Sequence, residues 1–231
     1  MTTTNITNGT STHNVDTTNM DYGDYSVNAT FTDENTYNTC QSQSQLTIND
    51  PNLKVINCQS TEDFMYAPDG GSYTQCTNNL DQTGYITNIP NNYVACKHEI
   101  RKNMTLTGTI HTNNNKFMAW GIRGVANNGI RYVLFTNTSN QTNIEEAHTQ
   151  GSGTNTSANS LQANTDNTFT ITINTEGYIN YTDSVGNNLT SNTAYTSEQL
   201  QKMLFVWRHW NGSGRIILKQ LTYQYNTNGG Q

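Results

Sequence analysis

Three residues near the C-terminus have the side chains that grip a sugar: Arg208, Trp210 and Asn211. They fall in the run Leu204-Phe-Val-Trp-Arg-His-Trp210 and the turn Asn211-Gly-Ser-Gly214 that follows it. An indole plane can stack on a sugar ring while a guanidinium and an amide take its hydroxyls. Alternation along a strand puts Phe205 and Trp207 on one face, and Val206, Arg208 and Trp210 on the other. The first face reads as core. The second reads equally well as a glycan platform or as a second buried face, and the spacing leaves both open. A Gly/Ser/Thr/Asn stretch at 148–168 with almost no apolar content reads as a long loop, expected to roof such a platform.

Other residues capable of chemistry are scattered. Glu145-Glu146 is an adjacent acidic pair, as a glycoside hydrolase would need. Neighbours on a strand point to opposite faces, however, so they cannot flank one bond, and no catalytic residue is assigned. The five histidines form no HExxH motif, and no G-x-S-x-G elbow occurs. Four cysteines, Cys40, Cys58, Cys76 and Cys96, allow three disulfide connectivities but contain no CxxC pair. They are expected to be free thiols, with no metal site and no cofactor. Asp16, Asp21 and Asp24 do not follow calcium-loop spacing and read as exposed turn carboxylates.

The elements that would position these residues are strands. Phe169, Ile171 and Ile173 alternate with Thr170 and Thr172, turn at Thr175-Glu-Gly177, and return through Ile179 and Tyr181. Met104, Leu106, Gly108 and Ile110 share one face of a long alternation from Tyr93 to His111. A closing strand is expected from Arg215 to Tyr225. One helix signal stands out, the capping box Thr196-Ser-Glu-Gln199. Only 32% of residues are hydrophobic, but thirteen Tyr, six Phe and three Trp suffice to close a core. The polarity comes from Asn, Thr, Ser and Gln, which suit turns and wet strand faces. The expected fold is all-β, an antiparallel sandwich.

In order and pattern, residues 93–225 resemble a concanavalin A-like (laminin-G/lectin-type) jelly roll. The long strand comes first, then Phe117-Met-Ala-Trp-Gly-Ile122, the Phe-Thr-Ile-Thr-Ile hairpin, and the closing Ile-Ile-Leu-Lys-Gln-Leu-Thr-Tyr strand. The E-x-D-x-x-E signature of related glucanases and a legume-type metal loop are both missing. The resemblance therefore implies glycan binding without hydrolysis. The Asn/Thr-rich composition also resembles accessory structural proteins of phage virions, such as capsid decorations, head fibres or tail adhesins. That resemblance implies a non-enzymatic virion protein whose partners are other virion proteins or itself, as a homo-oligomer, with a cell-surface glycan as ligand. The alternatives are a carbohydrate-binding module of a microbial surface protein and a polysaccharide-degrading enzyme.

The net charge of −6 argues against nucleic acid, which needs a basic footprint. No apolar run reaches membrane-spanning length, so no membrane insertion is expected. The N-terminus lacks the pattern of a signal peptide, which implies synthesis in a host cytoplasm. Residues 1–24 read as an extended arm and 25–231 as the sandwich. Phe117–Ile122 is apolar on both faces and needs cover on both, from the chain's own N-terminal part or from a neighbouring molecule. Met118, Trp120 and Ile122 are therefore expected to serve assembly, with the arm as tether.

Overall fold

The computed structural model describes Asp16 and residues 20–21, 23–31, 40–58, 60–68, 74–75, 80–81, 84–87, 92–113, 118–124, 132–137, 141–148, 151–209 and 216–227. The chain divides into two compact units, Met1–Leu53 and Lys54–Gln231. In the first, β1 (Gly23–Phe31) and β2 (Cys40–Ile48) form a two-stranded antiparallel ribbon. The Tyr25 strand, expected to open the sandwich, lies in this ribbon. Its described side chains are exposed or half-buried, and Thr47 donates to Asp24 at 2.6 Å.

The second unit carries β3 (Leu53–Asn57), β4 (Phe64–Pro68), β5 (Thr74–Gln75), β6 (Leu80–Asp81), β7 (Gly84–Thr87) and β8 (Asn92–Glu99). There follow β9 (Met104–Thr112), β10 (Met118–Gly124), β11 (Tyr132–Asn137), β12 (Gln141–His148) and β13 (Gly151–Asn159). The last are β14 (Asp166–Ile173), β15 (Ile179–Asp183), β16 (Asn188–Thr190), the short helix α1 (Ser197–Leu200), β17 (Met203–His209) and β18 (Ile216–Asn226). The front sheet runs β13-β12-β11-β10-β17-β8-β4-β5, and the back sheet β16-β15-β14-β9-β18-β7-β6 with β3 also on β18. Along both strand orders, β3 apart, the pairings are antiparallel. The fold is an all-β antiparallel jelly-roll sandwich.

Alternation explains the back sheet. Phe169, Ile171 and Ile173 point inward, and Thr168, Thr170 and Thr172 pair with Thr109, Thr107 and Thr105 on the wet face. Cross-sheet aromatic contacts seal the interior. Tyr181 of the back sheet stacks on Phe135 at 4.1 Å and lies 5.9 Å from Trp120, and Phe169 stacks on Phe205 at 5.5 Å. The helix forms where its capping box demands: Thr196 Oγ1 accepts from Gln199 N, and Gln199 Oε1 from Thr196 N.

Three expectations are corrected. The 148–168 stretch is not one loop, because Gly151–Asn159 is a strand paired with β12. As an edge strand it needs backbone hydrogen bonds on one side only, so its polar composition gave no apolar alternation to read. The Tyr93–His111 run is two strands in different sheets, parted at residues 100–103, where Asn103 takes a left-handed φ of 54°. Met118, Trp120 and Ile122 are fully buried between the two sheets of their own domain. Their cover is the back sheet, which removes the reason to assign them to assembly. No helix among the described residues is long and apolar enough to cross a membrane.

Candidate functional site

The outer face of the front sheet departs from the pattern of the back. One register row across it reads Glu145, Leu134, Gly121, Val206, Ala95 and Met65. The next reads Asn143, Thr136, Ala119 and Arg208. Small residues at 95, 119 and 121 make a shallow floor. Gly121 is required there: its φ is +143°, and a Cβ would stand 2.4 Å from the Val133 carbonyl oxygen. Over this floor the Tyr93 ring meets two guanidinium groups, with Arg208 Cζ 4.3 Å and Arg123 Cζ 4.5 Å from its centroid. Such cation–π contacts contribute about 0.5–2 kcal/mol each, most where water is excluded. Water is largely excluded here, with Tyr93, Arg123 and Arg208 only 2%, 5% and 9% exposed.

Arg208 thus sits on the outer face, as its phase required. Trp210 and Asn211 lie outside the described residues. The two glutamates divide as alternation dictates. Glu145 accepts from Thr136 Oγ1 at 2.8 Å on the outer face, whereas buried Glu146 accepts from the Asn192 backbone N–H. Tyr93 and Arg123 were missed in the sequence. Arg123 follows the Trp-Gly-Ile run in phase with Ala119 and Gly121, and that phase was the available signal.

A second constellation lies inside the sandwich. Cys96 and His98 alternate onto the inner face of β8, and Cys58 follows β3, its N–H donating to Leu221 O at 2.9 Å. One ligand atom from each of Cys58, Cys96 and His98 falls within 4.8 Å of the others. Both thiols are buried and unbridged. Hydrogen bonding to Cys96, then burial, pushes the Cys58 thiol far above its ordinary value. Burial works in the same sense on Cys96, but hydrogen bonds from Cys58, the His98 backbone N–H and Tyr223 outweigh it and hold that thiol below its usual range. Burial, then the Cys96 and Cys58 charges, pushes the neighbouring Tyr223 phenol well above its ordinary value.

No known family matches the chain, and no curated protein matches its sequence. Solved structures do match its fold. A native glycosidic hydrolase superposes with a TM-score of 0.51 at 10% identity, covering 77% of this chain and 97% of that one. A protein of unknown function from Shewanella oneidensis MR-1, SO2946, gives 0.46 at 9% identity, over 93% and 91% of the two chains. The Caenorhabditis elegans galectin LEC-6 gives 0.42 at 11% identity, over 62% and 91%. At such identities the likeness speaks to fold alone.

Proposed function

We propose that the chain is a non-hydrolytic, glycan-binding jelly roll. It would serve as an accessory or attachment component of a larger particle, which the composition suggests is a virion. The observation that carries the reading is the Arg208–Tyr93–Arg123 stack on the outer face of the front sheet. An aromatic plane flanked by forked donors suits a saccharide better than an apolar ligand. Hydrolysis is disfavoured because Glu145 and Glu146 serve opposite faces, whereas acid catalysis needs two carboxyl groups flanking one bond. The stack is under cover, so a saccharide would engage it from the Arg208 end, where β17 leads on in sequence to Trp210 and Asn211.

Glycan-array binding by the full chain tests this. Binding should be lost in Trp210→Ala and weakened about tenfold or more in Arg208→Gln, with the bound glycan recovered uncut. Absence of any glycan ligand, or equal binding by both variants, would sink the reading, and shortened glycan products would replace it with an enzyme.

The β1–β2 ribbon supports the assembly part of the proposal. An isolated two-stranded hairpin is marginally stable in water, and among its described side chains none is buried. Pairing with a second copy or a particle protein would supply what it lacks. Removing residues 1–48 should leave a folded sandwich that no longer oligomerises or incorporates. Unchanged assembly of that truncation would refute the tether.

A further inference from the structure

We infer that Cys58, Cys96 and His98 form a binding site for a thiolate-preferring divalent cation, with zinc as the natural occupant. Two sulfurs and an imidazole are the donors that zinc selects over magnesium or calcium. Spacing is the second point. Two sulfurs at about 2.3 Å from a tetrahedral zinc stand about 3.8 Å apart, and the three donor atoms here lie within 4.8 Å of one another. Small side-chain shifts would bring all of them onto one ion.

The decisive observation is His98. Its side chain is 32% exposed, yet its Nε2 is buried and has no hydrogen-bond partner among the described residues. A buried ring nitrogen on a side chain set beside two thiols needs something to bind. A Cys58–Cys96 disulfide would not supply it. With the sulfurs drawn to about 2.05 Å, Nε2 would remain unsatisfied. A metal ion satisfies all three donors together.

The surroundings also fit. Asp63 is held by Ser60, whose N–H and Oγ donate to Oδ2 at 2.9 and 3.3 Å. Its Oδ1 then faces His98 Nε2 at 3.8 Å. The fourth position therefore falls to Asp63 Oδ1 or to a water held by it. A cleft of about 270 Å³ lined by His98, Tyr223, Lys97, Glu99, Arg101 and Tyr225 meets the cluster at His98. On binding, the Cys58 and Cys96 thiols each give their proton to solvent, and no oxidant is involved.

The full chain, purified under reducing conditions in metal-free buffer, tests the site. It should carry zinc at a one-to-one ratio. Stripping with a chelator should lower Tm by roughly 5–15 °C, and Zn2+ should restore it. Loading with Co2+ should give thiolate-to-cobalt charge transfer and tetrahedral d–d bands. His98→Gln should weaken the metal by more than the roughly 10–100-fold typical of losing an outer-shell partner, and Asp63→Asn by about that much. Stripping and reloading the unmutated chain keeps the test valid if a variant fails to fold. Any of three results would overturn the site: a Cys58–Cys96 disulfide without metal, a reduced protein with no cobalt bands and a chelator-insensitive Tm, or equal zinc in Cys58→Ser/Cys96→Ser, which would mark an adventitious ion only.

Discussion

Asp183 is the residue whose removal tests the packing of the front sheet on the back. It ends β15 and accepts four hydrogen bonds. Tyr181 Oη and Asn187 Nδ2 donate to Oδ2 at 2.8 and 2.7 Å, and the N–H groups of Val185 and Asn187 donate to Oδ1 at 3.1 and 3.0 Å. Tyr181 is fully buried against Phe135 and Trp120 of the opposite sheet, so its hydroxyl cannot turn to water. In Asp183→Ala the Tyr181 hydroxyl and the Asn187 amide each lose their acceptor. A buried donor left unsatisfied costs about 1–3 kcal/mol. The turn N–H groups recover part of their loss from solvent, so the total should be about 3–5 kcal/mol. Tyr181→Phe removes the donor and leaves Asp183 with three partners, at about 1 kcal/mol. The double variant should then cost less than the two single changes together, with a coupling of about 1–2 kcal/mol. Urea denaturation at neutral pH measures all three. A loss below about 1 kcal/mol in Asp183→Ala, or strict additivity, would show that the carboxylate is solvated and that this account of the inter-sheet contact fails.

Three further outcomes follow from the same geometry. Burial, then the Asp183 charge and hydrogen bond, pushes the Tyr181 phenol well above 10.0; its neutral form is the one the fold favours, so its contribution is whole below about pH 10 and lost as pH rises beyond that. Tyr181→Phe should therefore lose less stability between neutral and strongly alkaline pH than the unmutated chain, as read by urea midpoints. Asp166 is held below 3.8 by hydrogen bonds from Lys219 and His111; the stability it contributes is present above that value and lost as pH falls through the lowered one. Asp166→Asn should thus lower Tm by a few degrees at most at pH 6, given the exposure of the pair, and the difference should vanish at strongly acid pH. Gly177 has a φ of +100°, and a Cβ there would stand 2.0 Å from the Tyr195 carbonyl oxygen. Gly177→Ala should cost about 2–3 kcal/mol or more by thermal melting, part from the left-handed backbone and part from breaking the Tyr195 N–H to Gly177 O bond.

Local periodicity made much of this fold legible. The β14–β15 hairpin has clean alternation and a glycine where the turn needs positive φ, and the capping box of α1 is self-contained within four residues. What alternation cannot report is which sheet a strand joins. A chain that crosses from one sheet to the other at residues 100–103 keeps its period, so β8 and β9 read as one strand. Nor can it find a strand held mainly by its backbone, which is why β13 read as a loop. Both-sided cover of β10 was legible from Ala119 and Trp120, but not its source. Arg208 was placed on the correct face by phase alone. The Cys58, Cys96 and His98 cluster was invisible as a unit, because it depends on the β3–β18 and β8–β17 pairings rather than on spacing. Only the Cys96-x-His98 alternation, which puts both on one strand face, hinted at it.

The two outer faces of the sandwich differ in a way that stability does not require. The back sheet turns paired rows of Thr to water, the ordinary solution for an antiparallel sheet with one wet side. The front sheet instead holds two guanidinium groups and a Tyr ring under cover, among Leu134, Leu204 and Val206. Desolvating a cation costs several kcal/mol before its contacts repay it, and a well-packed apolar face of equal volume is often as stable or more so. A fold that needed only a second closed face had cheaper choices in Leu and Val, which it uses a few ångströms away. Departures from such local rules concentrate where a surface has work to do. That contrast, rather than the fold, is the reason to search the front sheet first for a ligand and to test Arg208 before any residue of the back.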